Sequence, residues 1–275
     1  MKTSTIPQIE KAIAFKALHE REGAFVIPNP WDVGSARLLA GLGFEALATT
    51  SAGFANSIGR TDGEVSIAEA IEHCRVLSAS MDLPINADLE NCFAHEPAKA
   101  AETILRAAAA GVVGGSIEDH TGNPSNPIYD FDLSVERVSA AAEAAMSVGF
   151  PFMLTARAEN LLHGIDNLDD TIRRLQAFEA AGANVLYAPG LKTLEDVRLV
   201  TNSLGKPVNV LATFIKNVTL DELASAGAKR ISVGGALARA AFTALIRAGR
   251  EMQNTGTFRW TDDLASSGEV HKLLG

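Results

Sequence analysis

The stretch Leu83-Pro84-Ile85-Asn86-Ala87-Asp88-Leu89-Glu90 is a short apolar run that ends in two carboxylates. The pattern recurs, with other runs ending at Asn29 and Asp32, Thr50 and Ser51, Glu118 and Asp119, Arg157 and Glu159, Tyr187, and Asn209. Gathered at one mouth, these residues make a set of hard oxygen donors with one arginine among them. Such a set, without cysteine or clustered histidine, suits Mg2+ or Mn2+ better than Zn2+. Mg2+ keeps several waters, so two carboxylates suffice, and Asp88 and Glu118 on neighbouring runs are the natural pair. Asn86 and Glu90 share a side of their run with Asp88 by its period of two. From there they would orient waters or Arg157. The planar fork of Arg157 matches a carboxylate or an enolate oxygen. Glu159 or Glu118 could equally hold it as structural partners. Thr50, Ser51 and Ala52, in the loop 49–54, could offer backbone N–H groups to a carboxylate, or form an ordinary tight turn. Tyr187 is a candidate proton donor. A single acid at a strand end more simply caps a helix or pairs with a surface lysine; several acids converging on an arginine favour a site. His120 and His163 read as polar loop residues rather than acid/base groups. No lysine ends a run, which argues against Schiff-base chemistry.

A closed parallel sheet would gather such ends. Residues 6–21 read as a leading amphipathic helix. Strands are then expected at 24–28, 45–51, 84–90, 113–119, 152–159, 184–189, 207–212 and 230–234. Helical patterns fall near 34–42, 66–80, 96–110, 133–148, 168–181, 193–203, 219–226 and 236–253. Gly43, Gly111, Gly149, Gly182, Gly205 and Gly227 sit just past helices, where a left-handed cap favours glycine. Repeated βα units predict an α/β fold, a (β/α)8 TIM barrel, with its site at the C-terminal ends of the strands. A dinucleotide fold would need a phosphate-binding fingerprint after the first strand, and there is none. Val233-Gly234-Gly235 reads as permitting close helix packing rather than holding a phosphate. One domain over residues 1–275 is expected, with a C-terminal helical extension over 236–275.

The chain has 275 residues, enough for a sizeable core, and a net charge of −9 without a basic cluster. Nucleic acid and anionic membranes are therefore poor partners. No apolar run approaches a membrane span, and the N-terminus lacks the apolar centre of a signal peptide, so a cytoplasmic protein is expected. Cys74 and Cys92 form neither a disulfide framework nor a zinc spacing. Both read as structural.

At these residues the sequence resembles the isocitrate lyase/phosphoenolpyruvate mutase superfamily. The matching segments are NPWDVGSARLLAGLGFEALATTSAGFANSIGRTDG (29–63), LPINADLENCF (83–93), GGSIED (114–119), LTARAE (154–159) and PVNVLA (207–212). They occur in order, and the likeness runs from residue 20 to about 256. It implies a Mg2+-dependent barrel that makes or breaks C–C or C–P bonds beside a 2-oxo acid carboxylate. It also implies a homo-oligomer, a dimer or commonly a homotetramer, in which partners exchange the last helix, as the long apolar stretch at 236–248 would suit. By this resemblance Thr50, Ser51 and Ala52 match the loop that binds the substrate carboxylate. Asp62 matches an acid near the metal, Asp88 the principal metal acid, Glu118 the next, Arg157 the enolate-stabilising arginine, and Asn209 a substrate-side amide.

The departures narrow the activity. The superfamily's lyases carry a catalytic cysteine loop after the strand-four glutamate. Here that region reads HTGNPSNPIYD, without Cys, Lys or Arg, which argues against isocitrate or methylisocitrate cleavage. Asn123 or Asn126 would have to stand for the gating asparagine of the mutase and its hydrolase relative, in a loop that looks short. Asn86 replaces an acid that some members have. The expectation is a Mg2+-dependent lyase or decarboxylase acting on a small 2-oxo dicarboxylate through an enolate. The alternatives are a C–P bond enzyme, with Asp62 or water attacking phosphorus, and a non-catalytic barrel that binds a 2-oxo acid.

Overall fold

The computed structural model describes residues 4–275. The chain opens with α1 (Gln8–Glu20), β1 (Phe25–Val26), α2 (Val33–Gly41), β2 (Leu47–Ala48), α3 (Ser51–Ser57) and α4 (Ile67–Ala79). It continues with β3 (Ile85–Ala87), α5 (Pro97–Ala109), β4 (Gly114–Glu118), α6 (Phe131–Ser147), β5 (Met153–Arg157) and α7 (Leu168–Ala180). Then come β6 (Val185–Tyr187), α8 (Leu194–Asn202), β7 (Val208–Leu211), α9 (Leu220–Ser225), β8 (Arg230–Ser232), α10 (Ala236–Thr255) and α11 (Ser267–Leu274). All strand pairs are parallel, in the order β1-β8-β7-β6-β5-β4-β3-β2. The two ends of that order meet where the Ala48 N–H donates to the Pro28 carbonyl at 3.1 Å. Asn29 Nδ2 donates to the Thr49 carbonyl across the same seam at 3.0 Å. The expected α/β barrel is thus formed.

The strands are shorter than the apolar runs that announced them, because polar side chains take over backbone groups at the mouth. The Asp88 N–H, for instance, goes to Thr49 Oγ1 at 2.7 Å instead of to a ladder carbonyl. Thr50 does not end a strand: it caps α3, its hydroxyl accepting the Gly53 N–H. That short helix lies in a segment read as loop, since SAGFANS is small and polar and carries no apolar periodicity. Asp32 leaves the candidate mouth altogether. It caps α2 in a reciprocal box with Ser35, which satisfies two otherwise orphaned amides. Asn29 is a clasp, its Oδ1 accepting the Val233 and Gly234 N–H groups at 3.0 and 2.9 Å.

Sheet register places the chemistry. Glu118 pairs with Arg157, and Arg157 with Tyr187, so three strands present one layer at the C-terminal rim. Ser116 and Thr155 pair deeper in the barrel, and Asn209 pairs with Arg230. The opposite end is closed by α1, whose Ala12, Phe15 and Leu18 pack with Phe25, Ile27, Val113, Met153 and Val185. His19 completes this plug. Its Nδ1–H donates to the Phe15 carbonyl at 2.8 Å, which leaves Nε2 as an acceptor facing Arg230 Nη1 at 3.5 Å.

At the C-terminus α11 lies across α2, where a Cβ on Gly41 would fall 2.8 Å from Leu273 Cα. By contrast α10 leaves large apolar side chains in solvent, with Leu245 67% and Ile246 50% exposed. Among the described residues no helix is long and apolar enough to cross a membrane.

The plug makes stability sensitive to acid. Burial, and then the charge of Arg230, pushes His19 down from 6.5 to about 3. The unfolded chain therefore takes up a proton below 6.5 that the folded chain refuses, and stability falls as pH falls through that window. Between pH 6.5 and 5.0 this costs about 2 kcal/mol. Urea unfolding at pH 7.5 and 5.0 should show the wild type losing about 2 kcal/mol more than His19→Gln over that step. Equal losses would assign the acid sensitivity to other groups.

Candidate active site

At the rim layer Arg157 is held by three carboxylates. Its Nη1 lies 2.8 Å from Glu118 Oε1 and 3.2 Å from Asp88 Oδ1, and its Nε lies 2.7 Å from Glu159 Oε1. Its guanidinium also sits over the Tyr187 ring, 4.8 Å from the centroid. The surrounding acids hold Arg157 firmly protonated against the cost of burial, with Glu118 contributing most. Asp88 is fixed from several sides. Its Oδ2 accepts the Ser51 N–H at 3.0 Å, and its Oδ1 accepts from Ser116 Oγ at 3.3 Å as well as from Arg157. Head-to-head packing of α3 on β3 therefore aims Asp88 at the arginine.

The acids outnumber their cation. Desolvation, then the charges of Glu159, Asp88 and Glu90, lift Glu118 well above the usual carboxylate range against the pull of Arg157. Glu90 is pushed up to about 7 by burial first and then by Asp88 and Asp62. Asp62 lies on an exposed loop, yet its carboxyl reaches the Ser51 hydroxyl and lines the mouth, and it too is raised. Excess negative charge on hard oxygens is what a divalent cation neutralises. Among the described residues no group of three His, Cys, Asp or Glu side chains is placed so that it could hold a metal ion, so the protein would supply at most two of the ligands. Asp88 and Glu118 with water would fit Mg2+, which needs few protein ligands; they do not fit a structural zinc site.

The structure brings most of the residues singled out in the sequence together and places a few elsewhere. Asp88, Glu118, Arg157, Glu159, Tyr187, Asp62 and the 50–52 turn surround one region. Glu90 faces it too, but not by continuing the pleat: β3 ends at Ala87, and Glu90 has φ 50, a left-handed conformation. The run Glu90, Cys92, Phe93 is all left-handed, strained backbone at the edge of the site. Asp119 turns away, pairing with Arg174 at 3.2 Å and accepting the Glu159 N–H at 2.7 Å. It thereby anchors the backbone of Glu159. Cys92 is fully buried and pushed up to about 12, so it is no nucleophile. Cys74 is likewise buried and raised to about 12.

Asn123 and Asn126 face a separate surface cleft with His95 and Tyr129. Asn123 Oδ1 is spent on the Ser125 N–H, so neither substitutes for a gating asparagine here. His120 and His163 are closer to the chemistry than expected. Their rings stack at 4.1 Å beside Glu90, Glu118, Arg157 and Glu159 in a cavity of about 220 Å³.

A second cavity, of about 170 Å³, runs from this rim into the barrel. Asn86 and Asn209 lie along it, with Ser116, Thr155, Ser232 and Arg230. Asn209 is engaged from both ends, giving its Nδ2–H to Ser232 Oγ at 2.9 Å and accepting from Arg230 Nε at 2.8 Å. Sequence reasoning attached no role to Arg230. Its only signal was an arginine opening an otherwise apolar run.

A closed α/β barrel whose strand ends converge on one acid-ringed arginine has the architecture of a barrel enzyme. The chain belongs to the phosphoenolpyruvate phosphomutase family, whose model matches residues 15–253, and so to the isocitrate lyase/phosphoenolpyruvate mutase superfamily of enzymes. A crystal structure from Burkholderia cenocepacia, provisionally described as a lyase/mutase, is 53% identical, covering 96% of this chain and 95% of its own at a TM-score of 0.93. The 2-methylisocitrate lyase of Escherichia coli is 28% identical over 224 residues, which are 78% of this chain and 74% of that protein. An oxaloacetate decarboxylase of Pseudomonas putida is 25% identical over 242 residues, 86% of this chain and 81% of that protein.

Proposed function

We propose that this protein is a Mg2+-dependent lyase that decarboxylates a small 2-oxo dicarboxylate of the oxaloacetate type through an enolate. The observation that carries the reading is Arg157, a single cation shared by Asp88, Glu118 and Glu159 at the mouth of a polar cavity. Asp88 and Glu118 would hold the ion, with Mn2+ as a substitute, and when bound it supplies a Lewis acid for the 2-oxo oxygen.

The chain's own groups do the rest. The Ser51 N–H is committed to Asp88 and the Gly53 N–H to Thr50, so Ala52 supplies the amide of that turn for the substrate carboxylate. Arg157 faces the oxygen on which charge grows as the C–C bond breaks, and stabilisation that grows with charge accelerates the reaction. Glu159 and the anchored Asp119 keep the guanidinium plane fixed for that task. Tyr187, whose phenol burial pushes up to about 12, remains protonated and stands under Arg157 as a proton source for the enolate carbon. The missing cysteine loop sets the activity apart from isocitrate-type cleavage. Attack on phosphorus by Asp62, which lies at the same mouth with its carboxyl hydrogen-bonded to Ser51, is the alternative C–P reading. The exposed apolar face of α10 fits a homo-oligomer, a dimer or a tetramer; light scattering that shows a lone monomer would remove that part of the reading.

Turnover of oxaloacetate and of phosphonopyruvate with and without Mg2+ tests the activity. CO2 release that EDTA abolishes is expected, and phosphate release from phosphonopyruvate instead would replace the reading with C–P cleavage. Arg157→Ala should lower kcat on the order of 10²–10³-fold, with a smaller change in KM. Unchanged turnover in that variant would refute the role given to Arg157.

A further inference from the structure

Barrel interiors are ordinarily filled by layers of branched apolar side chains. Below the rim of this one lie Asn86, Ser116, Thr155, Asn209 and Arg230, all of them no more than 4% exposed, and all lining the cavity that opens at Asp88 and Arg157. Two features of this floor lack a counterpart.

The first is the charge of Arg230. Its partners are neutral: Nε donates to Asn209 Oδ1 at 2.8 Å, Nη2 to Thr155 Oγ1 at 3.0 Å, and Nη1 faces His19 Nε2 at 3.5 Å. Of the other buried arginines, Arg157 has three acids and Arg174 two, while Arg137 has none but is surrounded by the Ala94, His95 and Asn91 carbonyls; Arg230 has neither acids nor backbone carbonyls. No ion pair is formed by Arg230 among the described residues, and an unpaired buried charge is costly. Its guanidinium carries five N–H donors, so two are left over after these contacts. The second feature is Asn86. Its Oδ1 is buried in the same cavity with no hydrogen-bond partner. Gly114 opposite leaves room there, since a Cβ at that position would fall 2.7 Å from Asn86 Oδ1.

We infer that the barrel floor is an anion subsite in which Arg230, held in place by Asn209 and Thr155, receives the second carboxylate of a dicarboxylate whose 2-oxo end lies at the rim. This rests on the reading of the rim as a 2-oxo acid site and adds to it the feature that selects four-carbon diacids over monoacids. The spacing agrees. Thr155, which contacts Arg230, lies two residues below Arg157 on β5, or about 6.6 Å along a strand, comparable to the span of an extended four-carbon diacid. Asn86 lines the same cavity, and its Oδ1, an acceptor, can take a hydrogen bond there from a hydroxyl substituent or an ordered water. His19 serves the subsite from behind: it is a neutral acceptor, so it directs one Arg230 N–H away from the cavity without cancelling the charge.

The test is binding, and so it does not depend on turnover. Calorimetry in Mg2+ buffer would compare oxalate, which is short enough to occupy only the rim, with malate, which reaches the floor. Wild type, Arg230→Gln and Arg230→Lys are the proteins. Arg230→Gln should weaken malate at least 30-fold and oxalate less than twofold. Arg230→Lys, with a point charge in place of the fork, should fall between, and it keeps the test open if the glutamine variant does not fold. Equal weakening of both ligands, an unchanged malate affinity, or a wild type that does not bind malate would overturn the subsite. Selective loss of malate in an enzyme that turns over no 2-oxo acid would uphold the subsite while refuting the proposed reaction.

Discussion

One guanidinium surrounded by carboxylates governs the arrangement of this mouth. Arg157 is bound to three carboxylates, more negative charge than one guanidinium balances. Burial and mutual repulsion raise Glu118 and Glu90, a crowding of negative charge that a dication would relieve. The fold is organised to maintain that crowding. The Glu118–Arg157–Tyr187 register aligns three strands, α3 fixes Asp88 through the Ser51 amide, and the Asp119–Arg174 pair pins the backbone that carries Glu159. Left-handed backbone at Glu90, Cys92 and Phe93 adds local strain to the same edge. Strain of this kind persists only where surrounding structure over-determines it.

The cavity divides the work by depth. The rim carries net negative charge and one committed arginine; the floor carries an arginine without an acid. In the proposed reading a metal belongs to the first and an anion to the second. The two layers are joined through β5, which presents Thr155 to the floor and Arg157 to the rim. The plug of α1 lies beneath them and, through neutral His19, spares Arg230 a competing charge of either sign.

Much of this was legible in the residues. Alternating apolar runs and helical patterns determine a parallel barrel almost unaided, and the barrel then assigns strand ends to one mouth. Asp88, Glu118 and Arg157 were readable because ionisable side chains closing buried runs need a reason to be there. Asp62 was not readable in that way: it sits on a loop, and only the family likeness pointed to it. Glu90 faces the site for a reason other than the one read from the sequence, since a period-two argument cannot anticipate a strand that ends at Ala87 and a backbone that is left-handed at Glu90. The helix α3 escaped because its small polar residues hide a cap at Thr50. Asp32 and Asp119 looked like mouth acids and are a helix cap and a buried ion pair, roles that spacing alone cannot separate from catalysis. Arg230 stayed unread because it opens its strand instead of closing it.

The claim beneath all of this is that the carboxylates around Arg157 are arranged for a divalent cation that Asp88 anchors. Calorimetric titration of Mg2+ into the wild type and Asp88→Asn measures it without any assumption about substrate. The account expects one Mg2+ per chain in the wild type and an affinity lower by at least about tenfold in the variant. No Mg2+ binding by the wild type, or the same affinity in both proteins, would contradict it.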